Sequence, residues 1–171
     1  MNRFIYIIII FISIILYTFT IRGSWGNPTS NEIDANLKTS GKAFETSQER
    51  ARYALVLSLV NDHAYNIDNY AEMATPDVGR ANGHYYSFFP PGASILAVPF
   101  YLAGHALGGA QMLTFLISTI FSLLTMLVIA KFCLRLGLHW SVALFGSVAF
   151  GFATIAWGYS LTFYALFISG F

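Results

Sequence analysis

The sequence predicts an all-α polytopic membrane protein, in which transmembrane helices flank one long outer loop with juxtamembrane helices. The composition is the first observation: 56% of the 171 residues are hydrophobic and 10% are charged, whereas a soluble domain carries about 25% charged residues. The position of the charges is the second. All eight acidic residues lie between residues 23 and 92, and the fixed charges outside this window are four bases, Arg3, Arg22, Lys131 and Arg135.

Residues 4–21 form the first apolar segment, and they carry no charge. The run has about the length that a helix needs to cross the hydrocarbon core. A cleaved signal peptide is the alternative, because Asn2 and Arg3 precede the run. The run is long for a signal peptide, however, and no small-x-small cleavage site follows it. We therefore expect a retained transmembrane helix over residues 1–22.

Residues 23–93 form the predicted outer loop. Its first part is rich in Gly, Asn, Ser and Thr, which is typical of a solvated segment. Thr46 is followed three residues later by Glu49, the capping-box pattern that opens a helix. The apolar residues of the next turns predict an amphipathic helix over about 47–60, resting on the membrane surface. Residues 61–82 show no periodicity, and we expect them to be irregular.

The second half of the chain holds the other apolar segments. Residues 94–108 are short for a span and contain Pro99, which favours an interfacial helix. The remaining segments are two transmembrane helices and an apolar stretch in which the sequence stops: residues 111–134, 139–158 and 160–171. Because the last stretch has no polar flank, we expect the chain to be the N-terminal part of a longer protein.

Basic residues predict the orientation of the chain. Lys131 and Arg135 lie between two spans, and short loops with Lys and Arg stay in the cytoplasm. Arg3 places the N-terminus on the same side, so an even number of crossings must separate it from Lys131. That condition is met if residues 94–108 lie along the outer interface. We therefore expect a protein integral to the cytoplasmic membrane, with residues 23–93 outside.

Chemistry is expected in the outer loop, where the carboxylates lie. Glu49 and Asp77 are the candidate catalytic residues, because a carboxylate can act as a general base on a hydroxyl or amine acceptor. Each also has an ordinary explanation, since Glu49 caps a helix and Asp77 follows Pro76 in a turn. Loop carboxylates are also suited to a divalent cation, but the single cysteine, Cys133, excludes a Cys-based zinc site. No metal ligands or definite cofactor are assigned, and no basic cluster suggests nucleic acid.

Other loop side chains have two interpretations. The arginines are either solvated charges or a clamp on a lipid phosphate: Arg50, Arg52 and Arg80. Tyr85 and Tyr86 suit an aromatic belt at the level of the lipid headgroups. His84, like the other histidines, has no metal-ligand spacing.

The order of these motifs resembles the N-terminal part of the multi-spanning C-type glycosyltransferases. One span is followed by "ERARYALVLSLV", then "PD", then "GHYYSFFPPGASILAVPFY", and then a span that ends in basic residues. These enzymes include the aminoarabinose transferases, the protein O-mannosyltransferases and the rhizobial lipopolysaccharide-transferase type. The resemblance implies transfer of a sugar from a polyprenyl-phosphate donor to a lipid, polysaccharide or protein acceptor on the outer face.

The resemblance also implies roles for individual residues. Family members often carry an acid, usually Asp, three residues before an Arg-Tyr pair, and here that acid is Glu49. Asp77 is the second candidate. Many members place a Lys before the Pro pair, near the lipid phosphate, and Phe89 stands there in this chain. The implied substrate-binding residues are the loop arginines, one imidazole and two phenols: Arg50, Arg52, Arg80, His84, Tyr85 and Tyr86.

A non-catalytic small integral membrane protein is the second hypothesis. Its outer loop would bind a lipid head group or a partner subunit. A complete chain of 171 residues would fit this hypothesis better than the first, because an enzyme of this class needs more spans to wall a lipid cavity. The sequence leaves both hypotheses open.

Overall fold

The computed structural model describes residues 2–23, 25–27 and 44–164. The described part is mostly helical, which confirms the predicted helical class. The helices, in chain order, are α1 (Asn2–Thr20), α2 (Ser47–Leu57), α3 (Ala71–Ala74), α4 (Gly92–Ala106), α5 (Ala110–Arg135), α6 (Trp140–Phe152) and α7 (Ile155–Ser160). Two short strands, β1 (Val78–Ala81) and β2 (His84–Ser87), form an antiparallel pair.

One helix of the described part, α5, is long and apolar enough to cross a membrane by length and composition. Three others are apolar but shorter: Phe4–Thr20, Gly92–Ala106 and Trp140–Phe152. The several crossings expected from the sequence therefore stay a prediction.

The helix α5 lies at the centre of the described structure, because α1, α4, α6 and α7 all pack against it. Small and hydroxyl-bearing side chains allow this close packing, and α5 buries Ala110, Thr114, Ser118, Thr119, Ser122 and Ala130. Ser118 donates to the carbonyl of Tyr164 at 3.0 Å, and Thr119 donates to that of Ser160 at 2.8 Å. These two bonds tie the end of the described chain to α5.

Two apolar clusters lie along α5. The cluster next to the loop is built around aromatic side chains, Phe44, Tyr53, Phe115 and Phe163. The ring centroids of Phe44 and Tyr53 are 5.0 Å apart in an edge-to-face contact, a favoured geometry for buried rings. The second cluster joins α1 to α5 through Ile5, Ile9, Met126 and Ala130. The loop segments therefore share an apolar core with α5.

The helix α2 begins where the sequence predicts. It is buried in the protein, however, so the prediction of an amphipathic helix resting on the membrane surface is wrong. The backbone N–H of Thr46 donates to Glu49 Oε2 at 3.1 Å, and the capping box is complete. Every residue from 51 to 57 is buried, because α3, α4 and β2 pack against the helix. The α-helix ends at Leu57 and continues as a π-helical turn, Ser58–Asp62.

A β-hairpin begins within residues 61–82, which were expected to be irregular, and its two strands show that the all-α prediction is wrong for this part of the loop. Arg80 of β1 lies opposite Tyr85 of β2. The turn residues Asn82 and Gly83 have φ angles of 52° and 87°, the left-handed conformation that Asn-Gly adopts in two-residue hairpins. The Asn-Gly pair is a local signal for this turn that the periodicity of the segment does not reveal.

The segment predicted as a third span, residues 139–158, forms two helices instead of one. The helix α6 ends at Phe152, and the Thr154 hydroxyl starts α7 by accepting a hydrogen bond from the N–H of Ala156 at 3.1 Å. A local side-chain bond of this kind competes with continuation of a helix. Two other predicted segments lie largely outside the described residues: 23–45 and 160–171.

The helix α4 occupies the region predicted as an interfacial helix and folds back onto α5 through a tight turn. Gly108 adopts a φ of 73° in this turn, a conformation that glycine reaches at no steric cost. A Cβ atom on Gly104 would lie 2.8 Å from the backbone of both Gly109 and Ala110. The approach of α4 to α5 therefore requires glycine at position 104.

We expect Gly104→Ala to destabilise the protein by about 1–3 kcal/mol, because the added methyl group meets backbone atoms that cannot move aside cheaply. Gly146→Ala is the matched control, since nothing lies within 4 Å of a Cβ atom at that helical position. Thermal unfolding in detergent measures both. A Gly104→Ala variant as stable as Gly146→Ala would contradict the close packing of α4 on α5.

Candidate active site

Glu49 lies in the interior, with 1% of the residue exposed. One of its oxygens accepts the capping-box hydrogen bond from Thr46. Burial raises the pKa of the Glu49 carboxyl above its usual value, while hydrogen bonding by Thr46 and Thr162 and the charge of Arg22 act in the opposite direction. The residue thus combines the ordinary capping role with the altered proton affinity of many functional carboxyls.

Arg52 lies one helical turn after Glu49 and is only 5% exposed. Its guanidinium carbon sits 4.4 Å from the centre of the Phe89 ring, a cation–π contact. Nη1 is 3.5 Å from the carbonyl of Gln48, and Nε is buried without a partner among the described residues. A buried guanidinium with unused N–H donors is uncommon, because such donors normally find partners.

A phenol and two carboxyls lie within electrostatic range of the Arg52 guanidinium. Burial lowers the pKa of Arg52, while Tyr164, Glu49 and Asp77 oppose that change. Arginine stays protonated in proteins even so. Both carboxylates that the sequence nominated are therefore close enough to act on one buried cation.

Asp77 is half-buried and lies immediately before β1. Its backbone carbonyl accepts from the N–H of Phe88 at 3.1 Å, which extends the hairpin by one pair. Arg50 is held nearby, since its Nη2 donates to the carbonyl of Thr75 at 3.1 Å while its Nε is buried without a partner in the described residues. We call Glu49, Arg50, Arg52, Asp77 and Phe89 the arginine cluster.

A cation that the sequence analysis did not nominate lies near this cluster. Arg22 follows α1 and forms an ion pair with Glu45 at 3.2 Å. Its charge also acts on the carboxyl of Glu49. The sequence separates Arg22 from Glu49 by most of the solvated segment, so only the folded chain reveals that they are near each other.

The far end of the hairpin carries a second group. His84 Nδ1 is 2.6 Å from Asp68 Oδ2, and the other oxygen of Asp68 accepts from the N–H of Tyr85, also at 2.6 Å. The His84 and Tyr85 hydrogen bonds lower the pKa of the Asp68 carboxyl. The N–H of Ile67 donates to the carbonyl of Tyr85 at 2.8 Å. Residues 67 and 68 thus cover the open edge of β2.

The hairpin register separates the nominated side chains between two faces. Arg80 and Tyr85 are directly opposite each other, and the guanidinium lies 5.6 Å from the Tyr85 ring. His84 and Tyr86 are on the other face, because successive strand residues alternate. The six nominated substrate-binding residues therefore do not form one site. Arg50 and Arg52 belong to the arginine cluster, whereas Arg80 and Tyr85 lie on one face of the hairpin and His84 and Tyr86 on the other.

The described residues contain no group of three or more His, Cys, Asp or Glu side chains placed to hold a metal ion. They do contain an apolar groove of about 330 Å³ between α1 and α5, lined mainly by aliphatic and hydroxyl-bearing residues, among them Ser13, Tyr17, Ile21, Leu116 and Thr119. The groove reaches Ile21, the residue before Arg22.

Comparison of the chain with protein-family models, with curated proteins and with solved structures found no match.

Glu49 variants separate the effect of its charge from that of its hydrogen bond. A carboxyl whose pKa is raised on folding destabilises the fold at pH above its unfolded value, and the penalty disappears as pH falls. We expect Glu49→Gln to be at least as stable as the wild type at neutral pH, and Glu49→Ala to lose about 1 kcal/mol with the cap. Denaturant unfolding at several pH values measures this. A Gln variant less stable than the Ala variant would contradict it.

Asp68 should make the docking of β2 depend on pH. Folding lowers the pKa of this carboxyl below its ordinary value of 3.8. The stability that the carboxylate gives to the docked strand is therefore present above pH 3.8 and is lost as the pH falls through the folded pKa. Hydrogen exchange at the Tyr85 amide should be protected near neutral pH and unprotected in acid. Asp68→Asn should weaken the protection and its dependence on acid, whereas Asp62→Asn should leave both unchanged. Protection independent of Asp68 would contradict this role.

Proposed function

We propose that this chain is the N-terminal part of a membrane glycosyltransferase. The protein would move a sugar from a polyprenyl-phosphate donor to a lipid, polysaccharide or protein acceptor on the outer face of the cytoplasmic membrane. The observation that carries the proposal is the buried guanidinium of Arg52, which stacks on Phe89 and is influenced by Glu49 and Asp77. Phe89 replaces the lysine expected before the Pro pair, and Arg52 supplies a positive charge at that place.

The chemistry requires one base and one cationic site. A carboxylate takes the proton of the acceptor hydroxyl, and the acceptor oxygen forms a bond to the anomeric carbon of the sugar. The bond from that carbon to the phosphate oxygen breaks, and polyprenyl phosphate leaves with the electron pair. The unused N–H groups of Arg52 and Arg50 are suited to this leaving phosphate, because charge-assisted hydrogen bonds to phosphate are strong and directional.

The exposed surface of α1 supports a membrane setting. Its buried residues follow a four-residue spacing, Ile5, Ile9, Ser13 and Tyr17. Another face exposes large apolar side chains, Phe4, Ile7, Phe11 and Ile14, each by more than half. Such an apolar face is unfavourable in water and favourable in lipid.

The groove between α1 and α5 supports a lipid-linked donor. Its lining is apolar, which suits an isoprenoid chain. The groove reaches Ile21, and the next residue, Arg22, acts electrostatically on Glu49. A lipid whose chain occupied the groove would therefore bring its phosphate toward the arginine cluster.

Glu49 and Asp77 remain alternative bases, and the environment of Glu49 predicts a pH profile for a reaction that uses it. Burial raises the pKa of Glu49. The rate of a reaction that uses Glu49 as the base should therefore increase with pH until the pH exceeds this raised pKa. The pH dependence of kcat/KM reports this group in the free enzyme.

A non-catalytic lipid-binding protein is the second candidate function. It is favoured by the ordinary roles that both carboxylates have, since Glu49 caps α2 and Asp77 begins the hairpin. The same Arg52 site would then hold a lipid headgroup without bond cleavage.

The proposal is tested by sugar transfer from polyprenyl-phosphate sugar, assayed with the protein in proteoliposomes. Replacing the base, by Asp77→Asn or Glu49→Gln, should lower kcat by about 10²–10⁴-fold. Arg52→Ala should lower kcat as well, because the leaving phosphate loses its stabilising charge. Glu72→Gln, at an exposed carboxylate of α3, is the control and should be fully active.

Full activity in both carboxylate variants would remove the proposed base. Binding of polyprenyl phosphate that depends on Arg52, with no transfer by the wild type, would favour the non-catalytic function instead.

A further inference from the structure

The Asp68–His84 pair lies too far from the arginine cluster to take part in the same bond-making step. Asp77 is four residues before Ala81, the partner of His84 in the hairpin register. At about 3.3 Å per strand residue, the two ends of the hairpin are about 13 Å apart. The pair therefore needs an explanation of its own.

The imidazole of His84 is held in one orientation. Asp68 accepts from the backbone of Tyr85 with one oxygen and contacts His84 Nδ1 with the other, and the Ile67–Tyr85 bond fixes the same strand edge. A carboxylate at Nδ1 favours the tautomer in which Nδ1 carries the proton. In the neutral imidazole Nε2 is then an acceptor, and the His84 side chain is 52% exposed.

The surroundings of Nε2 suit a neutral polar ligand. Tyr86 lies two residues further along β2, on the same face of the hairpin as His84, and is partly exposed. An oriented hydrogen-bond acceptor beside a partly exposed aromatic side chain suits the hydroxyls and apolar face of a sugar.

We propose that His84, positioned by Asp68, binds a distal sugar unit of an extended glycan acceptor. A sugar hydroxyl donates to Nε2 while the unit that reacts lies at the arginine cluster, about 13 Å away by the same strand spacing. One sugar ring does not bridge that distance, so the acceptor is an oligosaccharide or polysaccharide. This inference rests on the proposed glycosyl transfer; Asp68 acts as a positioning residue.

The test compares acceptors of different length. Oligosaccharides released from the envelope polysaccharide of the source cell are fractionated by size and assayed as acceptors with the protein in proteoliposomes. His84→Asn should raise KM for the longer acceptors about tenfold, the effect of one lost hydrogen bond. The kcat for all acceptors and the KM for single sugars should not change.

Two further variants separate positioning from folding. Asp68→Asn should raise the KM of long acceptors in the same direction, because the amide no longer fixes the Nδ1–H tautomer. His63→Asn is the matched control: His63 is exposed and has a φ of 52°, which Asn tolerates, and no effect is expected. Equal changes for short and long acceptors, or no change in His84→Asn, would overturn the proposal.

A binding measurement distinguishes this inference from the proposed transfer. Longer oligosaccharides should shift the NMR signals of the His84 ring, and single sugars should not. If the wild type transfers no sugar but the shift is present, transfer fails and the glycan site stands. If transfer occurs without a length-dependent effect at His84, the glycan site fails and transfer stands. Absence of both transfer and shift overturns both.

Discussion

The burial of the Arg52 guanidinium is the constraint on which the loop structure depends. A charge removed from water is costly unless neighbouring groups compensate. Three kinds of interaction compensate for the burial of Arg52. The Phe89 ring stacks on the guanidinium, and the Gln48 carbonyl accepts a hydrogen bond from it. Glu49 and Asp77 supply opposite charge. The buried Ser94 of α4 donates to the Arg52 carbonyl at 3.0 Å. The loop helix, the hairpin and α4 therefore meet around one residue.

The hairpin connects this buried site to the surface. Its base holds Asp77 near Arg52, and its tip is held by Asp68. An edge strand is prone to pair with other chains unless it is covered, and residues 67 and 68 provide that cover for β2. The same contacts that protect the edge also fix the His84 ring and the backbone of Tyr85. The hydrogen bonds that cover the strand edge are thus the ones that orient the histidine of the proposed glycan site.

Much of the helical framework could be predicted from local sequence signals. The Thr46–Glu49 pattern predicted the start of α2, and the apolar segments anticipated α1, α4 and α5. The hairpin could also have been predicted, because Asn82-Gly83 is a strong turn signal even though the surrounding segment shows no periodicity. The break between α6 and α7 was harder to predict, because Thr154 lies within a continuous apolar run and interrupts the helix through side-chain bonds.

The sequence by itself determined the elements and the chemical groups that the loop contains, because capping, apolar runs and turn residues act over a few positions. The tertiary structure alone decided which groups meet. It enclosed α2, so a stripe expected to face lipid became part of the core. It brought Arg52 onto Phe89 and Arg22 near Glu49, and it separated His84 from the arginine cluster. These contacts join residues far apart in the chain, and the packing that produces them has no local signature in sequence.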